Sequence, residues 1–221
     1  MRKMRRKYHK KKMIRCALSI SGAAVFILIL CCVISFFWSS RQKEERKKNL
    51  PPITIETKLL EPNEYSRPQL PLRKVNGIVV HYTANPGTDA MDNRNYFNNL
   101  PKSNEGKEQK TYASSHFIVG LEGQIVQCIP LEEMAYASND RNSDTIAIEC
   151  CHPDKTGKFN ETTYRALKEL VTYLCIRFDL EAEDIIRHYD VTGKACPLYF
   201  VKHEDKWQSF LAEIENELSK W

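Results

Sequence analysis

The apolar positions along this chain change their period several times. Residues 16–38 form one apolar run without a charge. As a helix it would span roughly 34 Å, enough to cross a bilayer. It is too long for the apolar region of a cleaved signal peptide. It ends in Phe36-Phe37-Trp38, side chains suited to a membrane interface. The run predicts an uncleaved transmembrane anchor. Further on, Ile78, Val79 and Val80 follow Gly77 and predict a buried strand over 76–83. Residues 88–99 predict a polar helix ending before Pro101, and 102–110 a charged loop. Residues 114–119 and 124–129 flank Gly120-Leu-Glu-Gly123 and predict a hairpin-like pair. Residues 145–151 and 185–189 predict two more strands. Leu167, Leu170, Val171, Leu174, Cys175 and Phe178 recur at i, i+3, i+4 spacing and predict a helix over 161–178. Trp207, Phe210, Leu211, Ile214 and Leu218 predict a last amphipathic helix over 203–220. Strands interleaved with helices place the domain in the α/β class, a mixed central β-sheet flanked by helices, preceded by one N-terminal transmembrane helix.

Charge divides the chain in the same places. The formal net charge is +5, yet residues 1–15 hold nine Lys/Arg and no acid, and residues 41–48 hold five basic and two acidic side chains. Removing these from the 33 basic and 28 acidic residues leaves 19 against 26. The folded part is therefore acidic, which excludes a nucleic-acid partner argued from the overall charge. The basic residues ahead of the apolar run place the N-terminus in the cytoplasm and the domain outside. Five of the ten prolines fall between residues 50 and 71 and predict a semi-extended spacer. The expected organisation is a basic cytoplasmic tail at 1–15, a transmembrane signal anchor at 16–38, a charged and Pro-rich linker at 39–72, and one folded domain at 73–221.

The chemistry concentrates in two stretches. His81 closes the apolar run that begins at Gly77, and His188-Tyr-Asp-Val-Thr-Gly-Lys194-Ala-Cys196-Pro197 offers an imidazole, an ammonium and a thiol within nine residues. A lone strand histidine is usually structural. Two histidines and a cysteine together make a three-ligand zinc set whose fourth position is left for water, as in hydrolytic sites. Asp190-Val-Thr-Gly193 is turn chemistry that lets the chain fold Cys196 back toward His188. Glu149 shares a strand face with Ala147. Burying a carboxylate there is costly without a partner or a task, so it is either an edge salt-bridge residue or a general base. His116 is expected to be structural or to support the site, His152 to lie at a strand end, Asp190 to stabilise a turn, and His203 to lie on the surface. Cys128, Cys150, Cys151 and Cys175 could pair or stay as buried thiols.

Four motifs occur in one order: Val80-His81-Tyr82-Thr83, Ser115-His116-Phe117-Ile118-Val119 with Gly123, Ile146-Ala147-Ile148-Glu149, and Arg187-His188-Tyr189-Asp190 with Gly193-Lys194-Ala195-Cys196-Pro197. On these the chain from about residue 74 to 200 resembles the zinc-dependent N-acetylmuramoyl-L-alanine amidases of the type-2 amidase family, a fold shared with peptidoglycan recognition proteins and phage amidases. The resemblance implies Zn2+ held by His81, His188 and Cys196, Glu149 as general base and Lys194 as the lysine that stabilises the transition state. It implies an enzyme that hydrolyses the muramoyl–L-alanine amide of peptidoglycan or muropeptides; with the anchor expected above, this is a monomer at a bacterial cell membrane with its catalytic domain outside. Two departures stand out. Ser115 replaces a tyrosine of the phage branch, and Ala135-Tyr136-Ala137-Ser138 stands where many relatives show a Trp-His pair, which bears on the groove wall. The competing readings are a non-catalytic peptidoglycan-binding or sensor module on the same fold, which Cys196 and Glu149 together speak against, and a cysteine peptidase. The latter is disfavoured because no clear helix is expected after Pro197 to depress a thiol pKa.

Overall fold

The β-branched and aromatic runs assemble into one six-stranded sheet in the computed structural model, which describes residues 29–41, 44–46 and 48–221 in two compact units, Met1–Asn49 and Leu50–Trp221. The strands are β1 (Glu56–Thr57), β2 (Gly77–Tyr82), β3 (Phe117–Val119), β4 (Ile125–Gln127), β5 (Thr145–Cys150) and β6 (Ile185–Arg187), in the order β1-β4-β3-β5-β2-β6. Only the β3–β4 hairpin is antiparallel. The sheet is mixed and flanked by helices, as expected.

Alternation along the strands makes two cores. On one face Ile78, Val80, Ile146, Ile148 and Cys150 join Leu167, Leu170, Val171 and Leu174 of helix α3 (Glu161–Phe178) and Trp207, Phe210 and Ile214 of α6 (Glu204–Leu218). Each such side chain, fully buried, contributes roughly 1.5–3 kcal/mol. Helix α3 begins where the Asn160 side chain accepts the Thr163 N–H and ends at Asp179 in the left-handed region. On the other face Ile118 and Val126 meet Ala90 and Phe97 of α1 (Ala90–Asn98). Gly77 opens β2 because a Cβ there would stand 2.7 Å from the Asp184 carbonyl oxygen.

The structure departs from expectation at four places. Residues 50–72 are part of the folded unit rather than a free spacer. Strand β1 pairs with β4, Lys58 and Leu60 donate their N–H groups to Gln127 and Cys128, and Leu60 is fully buried. Arg67 grips Glu133 through two 2.8 Å hydrogen bonds. The five prolines of this segment all lie outside the two residues of β1, so none removes a ladder N–H from that strand. Pro101 starts a helical turn, α2 (Leu100–Ser103), instead of marking open loop, since a missing N–H costs nothing in a first turn. β6 stops at Arg187, and His188 opens a short helix, α4 (His188–Thr192). The Asp190 carboxylate accepts the Arg187 N–H at 2.8 Å and draws the chain into that turn. A further short helix, α5 (Leu198–Lys202), follows Pro197.

In the first unit residues 29–41 are helical, and Ile29, Leu30, Val33, Ile34, Phe36, Phe37 and Trp38 are exposed. Among the described residues no helix is long and apolar enough to cross a membrane. The expected tail at 1–15 and residues 16–28 of the expected anchor lie outside the described residues.

Candidate metal centre

Parallel pairing aligns the site. In register, His81 on β2 stands beside Glu149 on β5, and Val80 stands beside Arg187 on β6. His188, one residue past β6, therefore comes up next to His81, with ring centroids 4.6 Å apart. The C-terminal ends of parallel strands are where open α/β sheets bind ligands. The segment after α4 folds back through Gly193 (φ +76°), and the Tyr189 N–H donates to the Cys196 carbonyl at 2.9 Å. This closure carries the Cys196 Sγ to 3.8 Å from His81 Nδ1. One donor atom from each of His81, His188 and Cys196 lies within 4.8 Å of the others, and all three residues are buried.

Arg187 fastens this corner. It is buried and binds Asp190 at 2.8 Å and Glu204 at 2.5 Å, with its guanidinium over the Trp207 ring. Asp190 thus holds Arg187 and the start of α4, and does not reach the ligand set directly.

The electrostatics suit a cation. Burial, then the neighbouring His188 and Lys194, holds His81 well below the usual imidazole value, and burial lowers His188 as well. Both shifts favour the neutral imidazole, the form that can bind a metal ion. Burial and the Glu149 charge push the Cys196 thiol up to about 12, opposed by the Tyr82 N–H and by Lys194. Burial raises Glu149 to about 8 against the opposing pull of Lys194, and its Oε2 has no hydrogen-bond partner. Lys194 is exposed, yet its charge acts on His81, His188, Cys196 and Glu149 alike. Tetrahedral zinc, with Zn–N of about 2.0–2.1 Å and Zn–S of about 2.3 Å, would set its nitrogen and sulfur ligands about 3.6 Å apart. The 3.8 Å between His81 Nδ1 and Cys196 Sγ meets that requirement. Two neutral nitrogens and a thiol fit a zinc ion.

The remaining candidates lie elsewhere. His116 accepts the Ala147 N–H at Nδ1 (3.0 Å) and donates from Nε2 to the Glu133 carbonyl (2.9 Å), bracing β5 from behind. Ser115 is buried and donates to backbone carbonyls of Phe117 and Ala147. His152 donates from Nδ1 to the Asp154 carbonyl and lies against the Tyr82 ring, 5.1 Å between centroids. His203 lies against Tyr199 between α5 and α6. All five described cysteines of the second unit are free and buried. An aromatic cleft of about 490 Å³, lined by Phe159, Tyr164, Tyr199 and Phe200 with Lys158 and Lys206, includes none of the ligand set. Sequence reasoning missed the loop that meets the two histidines from outside. It treated Ser138 as groove wall and overlooked Asn139, but Ser138 Oγ lies 3.1 Å from His81 Nε2 and Asn139 Oδ1 lies 3.1 Å from His188 Nε2. The one local signal was an Asn placed where the chain needs φ +52°.

Comparison with known proteins agrees with this fold. The N-acetylmuramoyl-L-alanine amidase CwlL of Bacillus licheniformis is 33% identical over 176 residues, covering 74% of this chain and 47% of that protein. The chain spans about half the length of the curated relatives it matches. The structure of the catalytic domain of XlyA superposes with a TM-score of 0.60 at 28% identity, over 73% of this chain and 99% of that one. A drosophila peptidoglycan recognition protein, PGRP-SD, shares the fold alone, with a TM-score of 0.51 at 16% identity over 66% of this chain and 89% of that one. Residues 71–198 match the type-2 amidase family model, described as N-acetylmuramoyl-L-alanine amidase, and the chain belongs to that family.

Proposed function

We propose that this chain is a membrane-anchored peptidoglycan hydrolase that cleaves the amide bond between N-acetylmuramic acid and the L-alanine of the stem peptide. The observation that carries the reading is the in-register placement of His81 beside Glu149, with His188 and Cys196 closing on the same strand ends. His81, His188 and Cys196 would hold a zinc ion, which when bound supplies a Lewis acid that polarises a carbonyl and lowers the pKa of a water. Glu149 accepts a proton from the attacking water as its oxygen bonds to the lactyl carbonyl carbon. Glu149 then delivers that proton to the alanine nitrogen as the C–N bond breaks. A carboxyl raised to about 8 by burial suits a group that must both take and give a proton near neutral pH. Lys194 offsets the charge that develops on the carbonyl oxygen, the role of an oxyanion donor. A cysteine-nucleophile mechanism is disfavoured on a different ground from the one expected. A helix does follow Pro197, but the Cys196 thiol is pushed up to about 12, whereas nucleophilic thiols are depressed.

The exposed apolar side chains between Ile29 and Trp38 support an anchor that continues the run from residue 16; in this proposal the domain lies outside the cell and acts as a monomer. Two measurements test the proposal. Purified full-length chain is incubated with peptidoglycan, with and without chelator, and new L-alanine amino termini are sought by mass spectrometry. They are expected only without chelator; binding with no release points instead to a sensor module. Alkaline extraction of membranes tests the anchor, and release of the full-length chain into the supernatant overturns it.

A further inference from the structure

Each imidazole of the ligand set has a second ring nitrogen, and both of these are occupied. His81 Nε2 meets Ser138 Oγ and His188 Nε2 meets Asn139 Oδ1, each at 3.1 Å. An amide oxygen only accepts, so His188 carries its proton on Nε2 and keeps its lone pair on Nδ1. A serine hydroxyl can accept in the same way, and with Nε2–H donating to it His81 keeps free the Nδ1 that faces Cys196. Ser138 and Asn139 are sequence neighbours, and they serve two rings that stand 4.6 Å apart.

The loop that presents them is braced. Asn142 Oδ1 accepts the N–H groups of Ala137 (3.0 Å) and Ser138 (2.6 Å). Asn139 takes φ +52° and turns the chain into a 3-10 turn, Asn139–Arg141. The Arg141 carbonyl accepts the Thr145 hydroxyl at 2.6 Å, and its guanidinium binds Asp144 at 2.8 Å. Thr145 is the first residue of β5, the strand that carries Glu149. Ser138 is 1% exposed, so its hydroxyl is committed to His81 rather than to solvent.

We propose that Ser138 and Asn139 are positioning residues of the metal centre, holding His81 and His188 with Nε2–H outward and Nδ1 toward the cation. The inference rests on the zinc reading above. Groups that hydrogen-bond the outer nitrogen of a ligating histidine typically change metal affinity 10–100-fold when removed.

The test uses the full-length chain and zinc alone, with affinity read by competition against a chromophoric chelator. Asn139→Gly keeps the left-handed backbone and removes the amide; Ser138→Ala removes the hydroxyl. Each is expected to weaken zinc binding by about 10–100-fold. Asn139→Asp, which restores an acceptor at the same position, is expected to recover wild-type affinity. Affinities within twofold of wild type in both Asn139→Gly and Ser138→Ala overturn the proposal, as does failure of Asn139→Asp to rescue. A second readout is independent of metal. Nitrogen-15 spectra of the zinc-free chain at neutral pH are expected to show His81 and His188 as Nε2–H tautomers in the wild type and as tautomer mixtures in the variants. If the wild type binds no zinc, the zinc reading fails, and the tautomer spectra still decide the positioning role. Unchanged tautomers in both variants sink it.

Discussion

Replacing Glu149 with glutamine should cripple turnover and, in the metal-free chain, remove a pH dependence of stability. The carboxyl titrates at about 8 in the fold against an ordinary 4.5. The folded state therefore holds a proton that the unfolded state releases. Its contribution is fully present below pH 4.5 and is lost as pH rises toward 8, opposite in sign to a salt-bridged carboxylate. At about 1.36 kcal/mol for each pKa unit, stability should fall by about 3 kcal/mol between pH 5 and pH 8 from this group alone. Glutamine cannot titrate, so Glu149→Gln should lack that fall. Its buried amide could itself cost about 1–3 kcal/mol if unpaired, but that cost is the same at every pH and cancels in the slope. The assay is urea unfolding in chelator at several pH values, wild type against variant. Parallel curves across pH 5–8 would show that the fold does not disfavour the Glu149 charge. In the zinc-loaded chain the same variant should retain its metal and lose about 10²–10⁴ in rate, the usual contribution of a general base.

Three further outcomes are expected. Lys194→Ala should fold and bind zinc normally while losing about 10²–10³ in kcat, and a wild-type rate would remove Lys194 from the reaction. Zinc at a hundredfold over its Kd should stabilise the chain by about 2.7 kcal/mol, read as a higher unfolding midpoint that chelator cancels. Gly77→Ala should destabilise by about 1–3 kcal/mol, because its new Cβ meets the fixed Asp184 carbonyl at 2.7 Å; an unchanged midpoint would mean that β2 and the Asp184 turn can separate freely.

What could be read from the sequence was what local periodicity controls. Helix α3 spans Glu161–Phe178 because its Leu and Val positions mark one face over five turns. The β2 and β5 runs were equally legible, β2 as an unbroken Ile78-Val79-Val80 run and β5 by the alternation of Ile146 and Ile148 with Ala147 and Glu149. Residues 50–72 were opaque. Their attachment depends on a two-residue edge strand, one buried leucine and the Arg67–Glu133 pair, and none of these leaves a periodic trace. The turn at His188 was hidden for a similar reason. Ile185 to Tyr189 looks like a strand until Asp190 is seen to take the Arg187 N–H. The two histidines, the cysteine and the carboxylate were visible as residues, whereas Ser138 and Asn139 sit in an irregular loop whose closeness to the histidines is set by tertiary folding alone.

The pairing of β2 with β5 has a consequence for how the protein is judged in preparation. Side chains alternate across a strand, so a slip of one residue between these two strands would turn Glu149 away from His81 to the opposite face. The same slip would push Ile148 out of its core position. Strand alignment and assembly of the site are thus one property, and any molecule with these strands slipped would lose the pairing of His81 with Glu149.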